Sequence, residues 1–304
     1  MPHSHVAIHL VLVLLLPPLL LGVINKTKAL FAGRVGPPIF QAYYDLARLL
    51  RKDWVLSQTT TWVFLAGPVV GLVTTLLAAL LVPLGGHSAP IAFAGDFVLL
   101  AYVLGLGRFF TIAAALDTGS AFEGMGAARE ATWSALAEPA LFLGFLALAR
   151  ASDSVSLSTM LGPVVAADWS NAGATLGAIL VSWFVVLLAE NSRIPFDDPN
   201  THLELTMIHE VMVLDHSGPP FGIILYGAAM KLFVFAALVL GVAAPLGRID
   251  PWLSWGLFIG GILLLAIVVG VIESVMARIR LSQVPSLLVA ACLISAFGAV
   301  LLVR

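Results

Sequence analysis

Long apolar segments, separated by shorter polar ones, run through the whole chain. A helix needs about 20 residues to cross roughly 30 Å of hydrocarbon, and eight segments reach that scale. They lie at about 6–24, 62–83, 92–115, 132–149, 172–190, 221–246, 252–272 and 284–303. The sequence contains no evident linker or internal repeat. The pattern therefore predicts an all-α integral membrane protein with about eight transmembrane helices, built as a single membrane domain over residues 1–304.

The composition agrees with this class and excludes others. Hydrophobic residues make up 60% of the chain and charged residues 11%, whereas charged residues are usually about a quarter of a soluble protein. The formal charge of −2 shows no basic excess, so nucleic acid is not an expected partner. Cys292 is the single cysteine, and one thiol supports neither a disulfide framework nor an iron–sulfur cluster. We therefore expect no cofactor in this chain.

The basic residues predict the orientation. Of the fifteen Lys and Arg residues, ten fall in the connections after spans 1, 3, 5 and 7, and three fall on the other side. By the positive-inside rule, the odd-numbered connections are cytoplasmic and both termini are on the outer side. The first span follows the start MPHSHVAIH, which lacks a basic region, so we expect a retained helix and not a signal peptide.

Two long cytoplasmic loops are predicted, at about 25–61 and 191–220. In the first loop, apolar residues recur at three- and four-residue spacing, which is typical of an amphipathic helix lying in the membrane interface. These residues are Phe40, Tyr43, Leu46, Leu50 and Trp54. Such a helix either contributes to a docking surface or simply rests on the lipid headgroups.

Several ionisable residues fall inside the predicted spans, where a charge costs at least about 2.5–3.5 kcal/mol. Arg108, Glu138 and Lys231 lie within spans 3, 4 and 6, and Glu190 closes span 5. Any one of them can be a structural ion pair or a side chain that reaches the interface. As a set they favour a function, because buried acids beside adjustable counter-charges can pass protons. The set therefore predicts a proton relay or a switch that controls one.

The loop at 190–220 is the most densely charged part of the chain. Asp198 precedes Pro199, which predicts a short helix that begins there and runs to about Leu214. His202, His209 and His216 are seven residues apart and would share a face of that helix. A shared metal ion is disfavoured, because two helical turns separate neighbouring rings by about 10 Å and the H-E-x-x-H spacing is absent. The alternative is an amphipathic loop helix that docks on a partner.

Five blocks of sequence together resemble one family. They are AENSRIPFDDPNTHLELTMIHE at 189–210, GRVGPPIFQAYYDLARLL at 33–50, GRFFTIAAALDTGSAFEGMGAAREATWSALAEP at 107–139, a lysine in the sixth span at Lys231, and ESVMARIRL at 273–281. The pattern resembles the complex I subunit 1 family, in particular its hydrogenase branch, which comprises membrane subunits of formate hydrogenlyases and energy-converting nickel–iron hydrogenases. The resemblance covers nearly the whole chain.

The resemblance implies a membrane subunit that docks a hydrophilic redox arm and begins a lateral path of charged residues toward antiporter-like subunits. The nickel–iron centre and the iron–sulfur clusters would be carried by the hydrogenase large and small subunits. The residues that we expect to form the ion path and its coupling are Glu138, Glu190, Asp197, Glu204, Glu210, Lys231, Arg108, Asp117 and Glu130. The residues that we expect to dock the arm are Arg34, Gln41, Asp45, Arg129, Arg193 and Asp198.

Departures from the family pattern separate its two branches. Quinone-reducing members read P-F-D-L-P-E-A-E-S-E-L, with acids where this chain has Asn200 and His202. The leading hypothesis is therefore a non-catalytic, proton- or sodium-translocating subunit of a hydrogenase-type complex in the inner membrane. The alternative is the quinone-site subunit of a respiratory NADH dehydrogenase. A stand-alone transporter would predict inverted repeats and broken helices around a midplane site, and the sequence shows no such symmetry.

Overall fold

The computed structural model describes residues 2–162, 165–197, 208–244 and 246–302. The chain is 77% helical, and the described residues form no β-strand beyond one isolated bridge between Leu84 and His87. The helices are α1 Pro2–Phe31, α2 Gln41–Leu49, α3 Trp62–Leu81, α4 Asp96–Asp117, α5 Ala121–Ser152, α6 Leu157–Met160, α7 Val165–Glu190, α8 Gly218–Ala243, α9 Pro251–Val275 and α10 Val284–Leu301. Short 3-10 helices cover Glu210–Val213, Leu246–Arg248 and Leu281–Gln283.

Eight helices of the described chain are long and apolar enough to cross a membrane, which confirms the predicted class and number of spans. Because successive spans alternate in direction, the connections fall on two faces. We call the face that carries 32–61, 118–120, 191–197, 208–217 and 276–283 the loop-rich face. The other face, which carries 82–95, 153–162, 244 and 246–250, is called the opposite face.

Two helix boundaries differ from those that the hydrophobic pattern predicts. The fourth span begins at Ala121, well before the apolar run at 132, because the more polar segment AFEGMGAAREA is helical too. Glu123 and Glu130 are buried in that segment, so its polar positions face protein. Helix α2 ends at Leu49, and Leu50 is its C-cap residue. Trp54, which the sequence pattern assigns to the amphipathic helix, therefore lies beyond the end of α2.

Small residues let the spans approach closely, as is usual between membrane helices. Helix α3 packs on α4, α1 on α8 and α9, and α10 on α5 and α7. At Gly107 of α4, an added Cβ would overlap the Thr74 hydroxyl of α3. At Gly270 of α9, it would overlap Thr27 of α1. These contacts bring charged side chains of neighbouring helices within reach of one another.

Helix α1 contains Pro17 and Pro18 in its interior. Proline has no N–H, so each one leaves the carbonyl four residues earlier without its helical partner, and inside a membrane such a group must be satisfied by protein. The Leu14 carbonyl, four residues before Pro18, accepts a hydrogen bond from the Tyr226 hydroxyl at 2.9 Å. The neighbouring Leu15 carbonyl accepts one from Tyr43 of α2. The interruption thereby fixes α2 and α8 against α1.

Candidate ion-path site

Arg108 of α4 is the centre of a group of buried charges. Its Nη2 donates to both carboxylate oxygens of Glu190 at 2.8 Å, and its Nη1 donates to Glu138. Its Nε lies 3.6 Å from an oxygen of Glu130. The side chain is only 10% exposed. One guanidinium therefore connects carboxylates from two other helices, α5 and α7.

Lys231 of α8 completes this group. Its Nζ lies 2.8 Å from Glu190, so two cations share one carboxylate. We call Arg108, Glu130, Glu138, Glu190 and Lys231 the buried charge cluster. It holds three carboxylates and two cations. With every member ionised, the cluster carries an excess negative charge, and a proton or a nearby cation would balance it.

A cavity of about 80 Å³ adjoins the cluster. One water needs roughly 10–15 Å³ of such space, so about five to eight waters would fit. Helices α3, α4 and α8 supply most of the walls, and the segment 208–217 closes the end near the loop-rich face. Its polar lining comprises Thr74, Thr75, Arg108, Thr111, Glu130, His209, His216 and Lys231. The cavity therefore connects the loop at 208–217 with the charges in the middle of the spans.

A second set of ion pairs lies closer to the loop-rich face. Glu273 of α9 pairs with Lys28 at 2.8 Å and with Arg193 at 3.3 Å. Asp197 pairs with Arg278 at 2.9 Å. We call these residues the surface-side pairs. They connect the ends of α1 and α9 and the segment after α9 to the loop after α7.

Asp197 also holds the backbone of the 208–217 segment. Its Oδ2 accepts hydrogen bonds from the amide of Ile208 at 3.0 Å and from the amide of His209 at 3.4 Å. At the other end of the segment, the buried Glu123 accepts from the amide of Asp215 at 3.2 Å. Two carboxylates therefore fix this segment above the cavity. Glu210 lies between them in the 3-10 helix.

The predicted path residues do not all lie in one place. Asp197 and Glu210 belong to the region of the 208–217 segment described above. Arg108, Glu130, Glu138, Glu190 and Lys231 come together in the buried charge cluster. Asp117 does not join it, because its carboxylate accepts from the Thr61 amide and hydroxyl at 2.6 and 2.8 Å and fixes the start of α3. Glu204, together with Asp198 from the docking set, lies outside the described residues.

The predicted docking residues are also divided. Arg34 is exposed on the loop after α1, and Gln41 donates to Asp45 within α2 at 2.9 Å. Arg129 lies partly buried in α5, beside Glu130 of the cluster. Arg193 is 9% exposed, and its guanidinium faces Glu273. Arg193 is therefore an internal ion-pair residue in this chain.

Sequence reasoning did not include Lys28, Glu273, Arg278, His209 and His216 among the site residues. The charge of Glu273 at the end of a span was a usable signal. Its pairing with Lys28 was not, because the two residues are far apart in sequence and meet only through the packing of α1 on α9.

The eight spans and the buried charges define a multi-pass membrane protein. The chain belongs to the NADH dehydrogenase family, whose pattern matches residues 4–304. This confirms the family predicted from the sequence blocks.

Two curated relatives belong to the hydrogenase branch. The chain is 32% identical over 276 residues to formate hydrogenlyase subunit 4 of Escherichia coli (strain K12), and this match covers 88% of each chain. It is 34% identical over 238 residues to hydrogenase-4 component C of the same organism, and this match covers 78% of this chain and 74% of the relative.

A solved structure shares the fold. It is a chain of the membrane-bound sulfane sulfur reductase, an archaeal respiratory membrane complex, with a TM-score of 0.80 at 21% identity and 99% coverage of both chains. The relatives of this chain are subunits of membrane complexes, so we expect partners within a membrane complex for this chain as well.

Proposed function

We propose that this chain anchors the redox arm of a complex-I-like nickel–iron hydrogenase or formate hydrogenlyase and couples that arm to ion movement. The observation that carries the proposal is the binding of Glu130, Glu138 and Glu190 by one arginine beside Lys231. In this cluster the carboxylates outnumber the cations, and they adjoin a cavity that is large enough for several waters.

The excess negative charge suggests how coupling works. Glu190 is held by both Arg108 and Lys231, so a small change in the position of either cation changes how strongly Glu190 holds a proton. The loop after α7 begins directly after Glu190, and the surface-side pairs hold that loop against α9 and the segment after it. A redox-driven change of charge or position at that loop would alter the balance between the two cations, and the cluster would take up or release a proton.

Glu138 is the proposed exit from the cluster. Its side chain is 46% exposed, whereas the side chains of Arg108 and Glu190 are 10% and 4% exposed. Because Glu138 lies about midway along α5, this exposed carboxylate faces the lateral surface of the helix bundle. An ionised group there is costly unless a polar neighbour covers it. An antiporter-like membrane subunit that receives the ion is the proposed neighbour.

The remaining assignments follow from the same scheme. The loop-rich face would lie in the cytoplasm and bind the redox arm, with Arg34 and helix α2 as part of the docking surface. Both termini would be on the outer side of the inner membrane. The large and small hydrogenase subunits would carry the nickel–iron centre and the iron–sulfur clusters. The transported ion is proposed to be H⁺ or Na⁺.

The test uses the whole complex, purified from its host and reconstituted in vesicles. Glu190→Gln and Glu138→Gln remove a titratable group with little change in shape, and we expect ion translocation per redox turnover to fall about tenfold or more. Asp153→Asn is the matched control, since Asp153 is exposed on the opposite face and lies outside both the cluster and the docking surface. Unchanged translocation in both glutamine variants would reject the proposed coupling role.

A further inference from the structure

Two histidines of the 208–217 segment project into the cavity beside the cluster. His209 Nδ1 lies 3.8 Å from a Glu130 oxygen. His216 is 7% exposed, and its ring stacks on Phe64 with a centroid distance of 3.9 Å and an interplanar angle of 15°. Both side chains line the cavity together with Lys231. The two rings therefore form the end of the cavity that is nearer to the loop-rich face.

Each ring has a nitrogen that other protein groups do not satisfy. The Nδ1 atoms of His209 and His216 are buried and have no hydrogen-bond partner in the described part of the chain. A buried polar atom left unpaired costs about 1–3 kcal/mol, and ordered water is the usual partner of such atoms in a polar cavity. The adjoining space is large enough for water. The cavity thus offers a hydrogen-bonded chain from the imidazoles to the charge cluster.

The chemistry of imidazole fits a transfer of protons along this chain. A neutral ring accepts a proton on one nitrogen and releases another proton from the second nitrogen, so the ring is unchanged after its tautomer resets. Burial lowers the pKa of His216 to about 4, so at neutral pH the ring is neutral and does not retain a proton that it accepts.

Charged groups lie near both ends of this chain of hydrogen bonds. Arg108, Lys231, His209 and the acid Glu130 face the cavity with His216. On the other side of the segment are Glu123 and Asp215, and Asp215 is exposed. His216 therefore follows an exposed acid in the chain, and its ring lines the cavity that adjoins the cluster. The fixed positions of Ile208 and Asp215 hold both rings in place.

We propose that His216 and His209 form a proton relay that connects the loop-rich face with the buried charge cluster through the cavity. This relay rests on the proposed ion-coupling function and names the point at which protons enter the cluster. It assigns a role to two side chains outside the set of membrane-embedded acids. The relay carries protons only, so it also predicts H⁺ as the ion that enters the cluster.

The decisive variants separate proton transfer from packing. His216→Phe keeps an aromatic ring for Phe64 to stack on and removes both ring nitrogens. Phe64→Leu removes the stack and keeps the imidazole. In the reconstituted complex we expect His216→Phe to slow proton translocation about tenfold or more, because positioned proton carriers contribute roughly 10²–10⁴-fold. We expect a smaller loss, about two- to threefold, in Phe64→Leu.

Free imidazole added to the vesicles is a second readout. It should restore a substantial part of translocation in His216→Phe, which a purely structural role of the ring would not allow. His209→Gln should lower translocation as well. The matched control is His87→Phe, in which a stacked histidine on the opposite face is replaced in the same way, and translocation should be unchanged.

The outcomes are distinguishable. Equal losses in His216→Phe and Phe64→Leu without rescue by imidazole would overturn the relay, as would full translocation in His216→Phe. If His216→Phe does not assemble, His216→Gln is measured in the same way. Loss of translocation in Glu190→Gln but not in the histidine variants would reject only the relay. Full translocation in all of these variants would reject the proposed function itself.

Discussion

The two halves of the membrane region use polar residues in different ways. Every ion pair between described residues lies from the middle of the spans to the loop-rich face. In the half toward the opposite face, buried polar side chains mainly bind backbone or stack on rings. Asp96, which is fully buried, accepts from the Leu157 amide at 2.7 Å and from the Ser156 hydroxyl at 3.0 Å. His9 bonds the carbonyl of Ala79 at 3.0 Å.

The aromatic groups on the opposite face show the same difference. His87 stacks on His5 at 4.4 Å and on Trp255 at 4.6 Å, and its Nε2 bonds the Ser254 hydroxyl at 2.9 Å. A backbone partner or a stacked ring is fixed in place, so these groups hold elements together. Charged side chains that bind one another can exchange partners. The proposed ion path therefore lies in the half toward the loop-rich face, where the ion pairs of the described residues are found.

The largest effect is expected from Arg108→Ala. The change leaves Glu138 and Glu190 without their shared guanidinium, and removal of one partner from a buried pair costs about 3–5 kcal/mol. We expect a large drop in the thermal unfolding midpoint of the detergent-solubilised protein, together with loss of ion translocation. Arg48→Ala is the control, because the Arg48–Asp45 pair at 3.9 Å is exposed and such pairs contribute about 0–1 kcal/mol. Similar midpoints for the two variants would contradict the central role of Arg108.

A smaller effect of a different kind is expected from Asp96→Ala. The buried amide of Leu157 and the hydroxyl of Ser156 lose their acceptor, which costs about 1–3 kcal/mol. We expect a lower unfolding midpoint in detergent but unchanged ion translocation per redox turnover in the assembled complex. Asp96→Asn keeps an acceptor oxygen and should recover most of the midpoint. A loss of translocation in Asp96→Asn would show that the half toward the opposite face also conducts.

The smallest effect is expected from the pH dependence at His87, in the loop between α3 and α4. Burial, and to a lesser extent the nearby His5, lowers the pKa of His87 below its usual value of 6.5. The folded state therefore binds fewer protons than the unfolded state, and the stability contributed by the neutral ring is present above about pH 6.5 and is lost as the pH falls further.

His87→Phe keeps the stacked ring and removes this titration. Between pH 7.5 and 5.5 we expect the unfolding midpoint of the unmodified chain to fall more than that of His87→Phe, by less than about 2–4 °C. The measurement is a pair of thermal unfolding curves in detergent for each protein. Equal falls in the two proteins would exclude His87 as a source of acid sensitivity.

Hydrophobic spacing alone determined the class of this protein, because a span must present about 20 apolar residues to lipid whatever its neighbours are. The eight spans could therefore be predicted from the sequence. The family blocks could also be identified there, because they depend on residue identity alone. The start of α5 at Ala121 could not be predicted in this way. Glu123 and Glu130 interrupt the apolar pattern, and their burial depends on the elements that cover them.

The same distinction applies to the site. Sequence identified Arg108, Glu138, Glu190 and Lys231 as expensive charges within the membrane, because cost depends on depth, and depth follows from position in a span. Only the tertiary structure decided their partners. Arg108 meets Glu190 through the packing of separate spans, and Lys28 meets Glu273 where α1 lies on α9. Pairing depends on distances between helices, and those distances are set by small residues such as Gly107 and Gly270, whose neighbours in space the linear sequence does not specify.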